Sequence, residues 1–145
     1  MKASRMAGHL VRRLNQLSTQ VFSKRMQDTG LDLTPVQFAA MDAISARPGI
    51  DQAGVAAQIA YDRATIGGVI DRLEQKGFVA RTVCKHDRRA REVRLTEKGA
   101  EVFTDILPVV TELQGEILPG LSPEEAARFL ELAEKAIRAA SADAT

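Results

Sequence analysis

"DRATIGGVIDRLEQKGF", residues 62–78, decides how the rest of the chain is read. Ile66, Ile70 and Leu73 recur at i, i+4 and i+7, one apolar face of a helix with a period of about 3.6 residues. Asp62 is placed to cap that helix, and Gly77 to end it at the position just past the C-cap. Yet Gly67 and Gly68 stand inside the pattern, and each costs a helix interior about 1 kcal/mol relative to Ala. Opposite the apolar face lie Ala64, Gly68 and Asp71, with Thr65 and Arg72 on its flank and Gly67 at the other border. Two readings account for the glycines. Either they let a neighbouring helix pack closely, or they let this helix approach something large outside the chain.

Before this stretch, "LTPVQF" (33–38) carries several helix-start signals at once. Thr34 is the N-cap, Pro35 the first helical residue, and Gln37 completes a capping box. Leu33 and Phe38 are spaced for a hydrophobic staple. The helix runs through Met41 and Ile44 to Arg47, before Pro48-Gly49. Asp51 caps a short helix through Val55 to Ile59, and "AYD" links it to the opening stretch. Further upstream, "HLVRRLNQLSTQVFSKRM" (9–26) repeats Leu10, Leu14, Leu17 and Val21 on a long helix that stops before Gly30.

After it come "FVARTV" (78–83) and "EVRL" (92–95), short, β-branched and alternating, around the charged loop "CKHDRRAR" (84–91). This is the pattern of a hairpin with a long basic tip. Thr96 caps another long helix, which Pro108 is predicted to kink. "LSPEEAARFLELAEKAI" (121–137) repeats the capping box with Ser122, Pro123 and Glu125. There are no internal repeats.

The 145 residues suffice for one domain, 1–145, with a real core. At 45% hydrophobic and 27% charged the composition is globular, and no apolar run approaches the ~20 residues of a membrane span. The opening "MKASRMAGHLVRRLNQ" has charge within its apolar stretch, unlike a signal peptide. A single cysteine, Cys84, leaves no intramolecular disulfide and fits a cytoplasmic protein. The net charge is only +1, but it is unevenly placed: Arg81 to Arg94 holds six Lys/Arg against two acids. Such a segment suits a local polyanion.

Two short helices followed by a basic hairpin describe a winged helix-turn-helix, mainly α with a small β-hairpin wing. The second helix of such a pair reads base edges in the major groove, and a basic wing reaches phosphate or the minor groove. The candidate DNA-binding residues are Arg63, Ala64, Thr65, Gly67, Gly68 and Arg72 on the helix. On the wing they are Lys85, His86, Arg88, Arg89 and Arg91. A charge run of this kind is equally the pattern of a solvated loop, and it is the order of the two features that favours DNA. Catalysis is not expected, because a Gly-rich phosphate loop, a G-x-S-x-G elbow and paired histidines are all missing. Two distant histidines give no zinc-ligand spacing, so neither metal nor cofactor is expected. A winged-helix adaptor that binds protein instead of DNA is the rival reading, against which the basic wing argues.

"LTPVQF", "IGGVIDRLEQKGFVAR" and "DRRAREVRLTEKG" resemble the MarR family of bacterial transcription regulators, Asp87-Arg88-Arg89 followed by "LTEKG" most specifically. The resemblance covers nearly the whole chain. It implies a winged lobe at 33–98 and dimerisation helices at 5–29 and 100–140. It further implies a homodimer on a palindromic operator, acting as a repressor released by a small ligand. Activators and redox-responsive regulators share the fold. The arginines matching Arg89 and Arg91 approach DNA in that family, while the acid matching Asp87 braces the wing. The dimer has support from the residues themselves: the stripes Leu10, Leu14, Leu17, Val21 and Phe129, Leu132, Ala136 exceed what one small lobe can cover.

"GHLVRRLNQ" (8–16) also resembles family members that sense aromatic carboxylic acids. His9 and Arg13 lie one turn apart beside the Leu10–Leu14–Leu17 stripe, with Arg12 directed away from it. An arginine beside an apolar groove suits forked capture of a carboxylate. His9, Arg13 and Leu17 are therefore the candidate ligand residues; the competing reading is an arginine snorkelling at a dimer interface or pairing across it. Cys84, near Lys85 and Arg88, is either an inert thiol or a redox-active one.

Overall fold

The structure is a computed structural model and describes residues 2–83 and 91–143, with side chains up to Ser141 at the C-terminal end. A short 3-10 turn at Ala3–Arg5 precedes α1 (Ala7–Thr29). Then come α2 (Pro35–Ala46), α3 (Gln52–Gln58), α4 (Ile66–Gln75), β1 (Val79–Val83), β2 (Arg91–Leu95), α5 (Glu97–Ile117) and α6 (Pro123–Asp143).

Local chemistry sets most boundaries. The capping box at α2 is complete: Thr34 Oγ1 accepts the Gln37 N–H at 3.2 Å, and Gln37 Oε1 accepts the Thr34 N–H at 3.2 Å. Asp51 Oδ1 accepts the Gly54 N–H at 2.7 Å, and Thr96 Oγ1 the Gly99 N–H at 3.0 Å. The Ser122–Glu125 box forms as well. Gly30 ends α1 and Gly77 follows α4, both with left-handed backbone. α5 runs unbroken through Pro108, whose missing N–H removes the helical bond to the Thr104 carbonyl.

One boundary differs from the sequence reading. α4 begins at Ile66, not after a cap at Asp62. The Asp62 carboxylate accepts the Ala64 N–H at 2.8 Å, and its carbonyl accepts Thr65 and Ile66 N–H groups. Asp62 thus closes a turn, a role its short acceptor fills as readily as a helix cap. Arg63, Ala64 and Thr65 lie in that turn. Before it, the chain leaves α3 through Ala60 at φ 54, a left-handed alanine just past the C-cap Ile59 that costs about 1 kcal/mol or more.

α2 is the centre of the lobe, packing on α3, α4, β2 and α5. Its Met41 and Ile44 meet Val55, Ile70, Leu73 and Val93 in the fully buried core. Truncating a leucine so enclosed costs about 2–5 kcal/mol. Phe38 links the long helices to this core, 5.6 Å from the Phe103 ring and 6.3 Å from Phe22. The hairpin is antiparallel, Val79 opposite Leu95 and Val83 opposite Arg91. A third segment joins it: Asp51 bridges Glu92, and the Val93 N–H donates to the Ile50 carbonyl at 2.8 Å.

The stripe expected on the first helix divides in two. Phe22 and Met26 are buried and Val21 half-buried against the chain's own core, Leu14 is half-buried at the grooves beside α5 and α6, and Leu10 and Leu17 are exposed. Arg25 straps this helix to α5 through Glu112 at 3.1 Å and Glu116 at 2.7 Å. α6 packs on the rest of the chain only marginally, and of its described side chains just Ala126 and Ala133 are half-buried.

Candidate nucleic-acid interface

α4 is held from behind by Ile66, Val69, Ile70 and Leu73, all buried. Its outer side presents Gly68, Asp71, Arg72 and Gln75, all exposed and spaced i, i+3, i+4 and i+7. A Cβ on Gly68 would have nothing within 4 Å. On the half-buried Gly67 it would meet only the Gln52 side-chain amide at 3.4 Å, an ordinary contact. Close packing inside the chain therefore does not require glycine at 68. Arg63, Ala64 and Thr65 are exposed in the preceding turn, beside the first turn of α4.

The base of the wing is tied to this helix by a residue that motif reading left in the general basic count. Arg81 of β1 donates through Nη2 to Asp71 and, at 3.1 Å, to Glu74 of α4. Its Nη1 donates to Gln52 Oε1 of α3 at 3.1 Å. The Arg81 pKa is raised, chiefly by the hydrogen bond with Glu74, against the opposing effect of burial. A signal for it existed: along β1, Arg81 shares the side of buried Val79, and a charge at an inward position of a period-2 strand needs partners.

A second tie anchors the other end of α4. Lys76 donates to the Asp32 carbonyl and, at 2.9 Å, to Gln37 Oε1, the same oxygen that serves the α2 capping box. Gly77 and Phe78 then meet the start of α5. Thr96 Oγ1 donates to the Gly77 carbonyl at 2.6 Å, and the Thr96 N–H to the Phe78 carbonyl at 3.0 Å. Gly99 is pressed so closely on Phe78 that a Cβ would fall 1.9 Å from its carbonyl oxygen. The "LTEKG" pattern thus has a structural meaning: a cap and a contact glycine that seat the long helix on the end of α4.

Of the wing candidates, Arg91 is exposed at the first position of β2. Lys85, His86, Arg88 and Arg89 lie outside the described residues, as do Asp87 and Cys84. On α1 the expected ligand residues are placed separately. Half-buried His9 receives a hydrogen bond from Arg12 at 3.2 Å, and exposed Arg13 donates to Gln16 at 3.0 Å. Leu17 borders a groove of about 350 Å³ with Leu14, Leu118 and Phe129. A larger groove of about 700 Å³ adjoins it, lined by Leu14, Ser18, Ile117, Leu118, Phe129 and Leu130 among others. Neither His9 nor Arg13 lines either groove.

A helix-turn-helix with an open glycine on its outer face, joined to a two-stranded wing and carried on long helices, defines a winged-helix DNA-binding protein. The MarR family profile matches residues 31–90. The transcriptional regulator HosA of Escherichia coli is 35% identical over 129 residues, 89% of this chain and 93% of that protein. Among solved structures, Bordetella bronchiseptica BpsR, described as regulated in DNA binding by 6-hydroxynicotinic acid, superposes with a TM-score of 0.84. It shares 29% identity, over 93% of this chain and 95% of that one. Streptomyces coelicolor PcaV, in complex with its natural ligand, gives 0.86 at 28% identity, over 97% of both chains. This chain belongs to the MarR family of DNA-binding transcriptional regulators. The family is one of regulators and not of enzymes, and no helix among the described residues is long and apolar enough to cross a membrane.

Proposed function

We propose that this protein is a cytoplasmic homodimeric repressor that places α4 in the major groove of a palindromic operator and is released by a small aromatic acid. The observation that carries the DNA-facing assignment is Gly68: exposed, mid-helix, and without any neighbour that forbids a side chain. A helix accepts that loss where its backbone must come close to a partner. Arg63, Thr65 and Arg72 flank the same surface, and Arg91 stands exposed at the start of β2 in the wing.

The dimer reading is supported by apolar side chains left in solvent on the two terminal helices. Leu10, Val11, Leu17, Phe129, Leu130 and Ile137 are each at least 36% exposed. Exposed apolar area of this kind marks an interface. A two-fold pair also lets two recognition helices read two half-sites about one helical turn apart. The aromatic-acid reading draws on BpsR, described as regulated in DNA binding by 6-hydroxynicotinic acid, and on the resemblance of residues 8–16, with Arg13 exposed on α1, to family members that sense such acids.

Two substitutions at one position test the DNA-facing assignment. Gly68→Ala should stabilise the fold by about 1 kcal/mol, or about 3 °C, while weakening operator binding. Gly68→Leu should abolish binding and leave the protein folded. Normal binding by the leucine variant refutes the close approach, and unfolding would return the glycine to a packing role.

A further inference from the structure

The outer face of α4 has an electrostatic difficulty. The helix carries one arginine, Arg72, against two acids, Asp71 and Glu74, and so bears a net negative charge. Asp71 shares the exposed face of Gly68 and Arg72, the face assigned to DNA. Unpaired carboxylates there would meet phosphate with like charge, at a cost to binding. Neither acid is buried: their side chains are 53% and 44% exposed.

Arg81 answers this geometry. Its guanidinium reaches both carboxylates from the base of the wing, and its third contact, to Gln52, fixes it against α3. Its own side chain is only 22% exposed, so it is offered to the two acids and not to a ligand in front of the helix. Two terminal nitrogens let its one positive charge face both carboxylates while Gln52 holds it in place. We infer that Arg81 is a positioning residue for DNA binding, which draws the Asp71 and Glu74 carboxylates to the wing base and cancels charge that would otherwise repel the operator. The inference rests on the proposed placement of α4 in the groove. It gives a role to acids that the DNA-facing reading alone leaves unexplained.

The test measures Kd for a duplex selected by the wild-type protein from a random pool, and for a non-cognate duplex of equal length. Arg81→Gln should weaken both by about tenfold, the deficit shrinking as salt rises and screens the repulsion. The triple variant Arg81→Gln/Asp71→Asn/Glu74→Gln removes the repelling charge without rebuilding the tie, and should return to within about threefold of wild type. Arg81→Lys keeps the charge but not the fork, and should also stay within about threefold. Wild-type affinity in Arg81→Gln overturns the inference. So does a triple variant as weak as Arg81→Gln, which would make the tie purely structural, and so does a lysine variant equally weak. Gly68→Leu in the same assay separates the two levels: if it binds normally, the placement of α4 fails, whatever Arg81 does.

Discussion

Replacing Gly99 by alanine should reverse the usual sign of a helical Gly→Ala change. In an open helix position alanine stabilises by about 1 kcal/mol. Here the added Cβ would fall 1.9 Å from the Phe78 carbonyl oxygen, 2.7 Å from its carbon and 3.0 Å from its Cα. Those are backbone atoms and cannot rotate away. To reach even the 3.0 Å that Cβ contacts hardly ever go below, the start of α5 must retreat by 3.0 − 1.9 = 1.1 Å. The Thr96 bonds to the Gly77 and Phe78 carbonyls, 2.6 and 3.0 Å long, do not survive that movement. Two lost hydrogen bonds at about 1 kcal/mol each, with overpacking of about 1–3 kcal/mol, outweigh the helix gain and leave a net loss of about 2–4 kcal/mol. In a chain of this size the midpoint of thermal unfolding should fall by about 6–12 °C. The measurement is equilibrium urea and thermal unfolding at one fixed protein concentration, since association shifts apparent stability. A midpoint unchanged or raised would refute the reasoning and with it the structural meaning of the Thr96–Gly99 pattern.

The other perturbations address binding. Arg89→Ala and Arg91→Ala should each weaken operator and unrelated DNA alike and lower the salt slope by about one unit; unchanged affinity and slope would remove the wing from the interface. Arg13→Ala should leave operator affinity near normal but weaken an aromatic acid inducer by about ten- to a hundredfold in calorimetry, whereas Arg12→Ala should keep the response. An Arg13 variant that binds the acid like the parent places the ligand elsewhere, the α1–α5–α6 grooves being the next position to mutate. Leu130→Glu with Ile137→Glu should convert the protein to monomer at micromolar concentration in sedimentation. A persistent dimer would assign these exposed side chains another role.

How far residues alone reveal this molecule depends on whether a feature is local. The caps at Thr34, Asp51, Thr96 and Ser122 and the glycine stops at Gly30 and Gly77 are short-range hydrogen-bond problems, and each has its expected solution. Asp62 misled by three residues because one carboxylate serves a turn and a helix start equally well. Leu10, Leu14, Leu17 and Val21 form one stripe by periodicity, yet periodicity does not say which part faces the chain's own core. Phe22 and Met26, beside that stripe, proved to be the buried residues. Arg81 lay beyond motif reading because its partners, seven to twenty-nine residues upstream, meet only when β1 returns along α4. The Gly99 contact likewise joins two elements through backbone, which leaves no side-chain pattern beyond the glycine itself.

The seat of α5 on Gly77 and Phe78 makes that helix a lever. With 21 residues at about 1.5 Å each, it is about 31 Å long. One end is pinned by Thr96 to Gly77, just past α4; the other, at Ile117, borders the grooves beside α1. A displacement of about 2 Å at the groove end, taken over that length, is a tilt of about 4° at the seat. Arg25 grips the groove-side half through Glu112 and Glu116, leaving Pro108 and its missing bond between the grip and the seat. Motion entering at the grooves thus has a rigid arm to act through and one weakened point at which it can be absorbed.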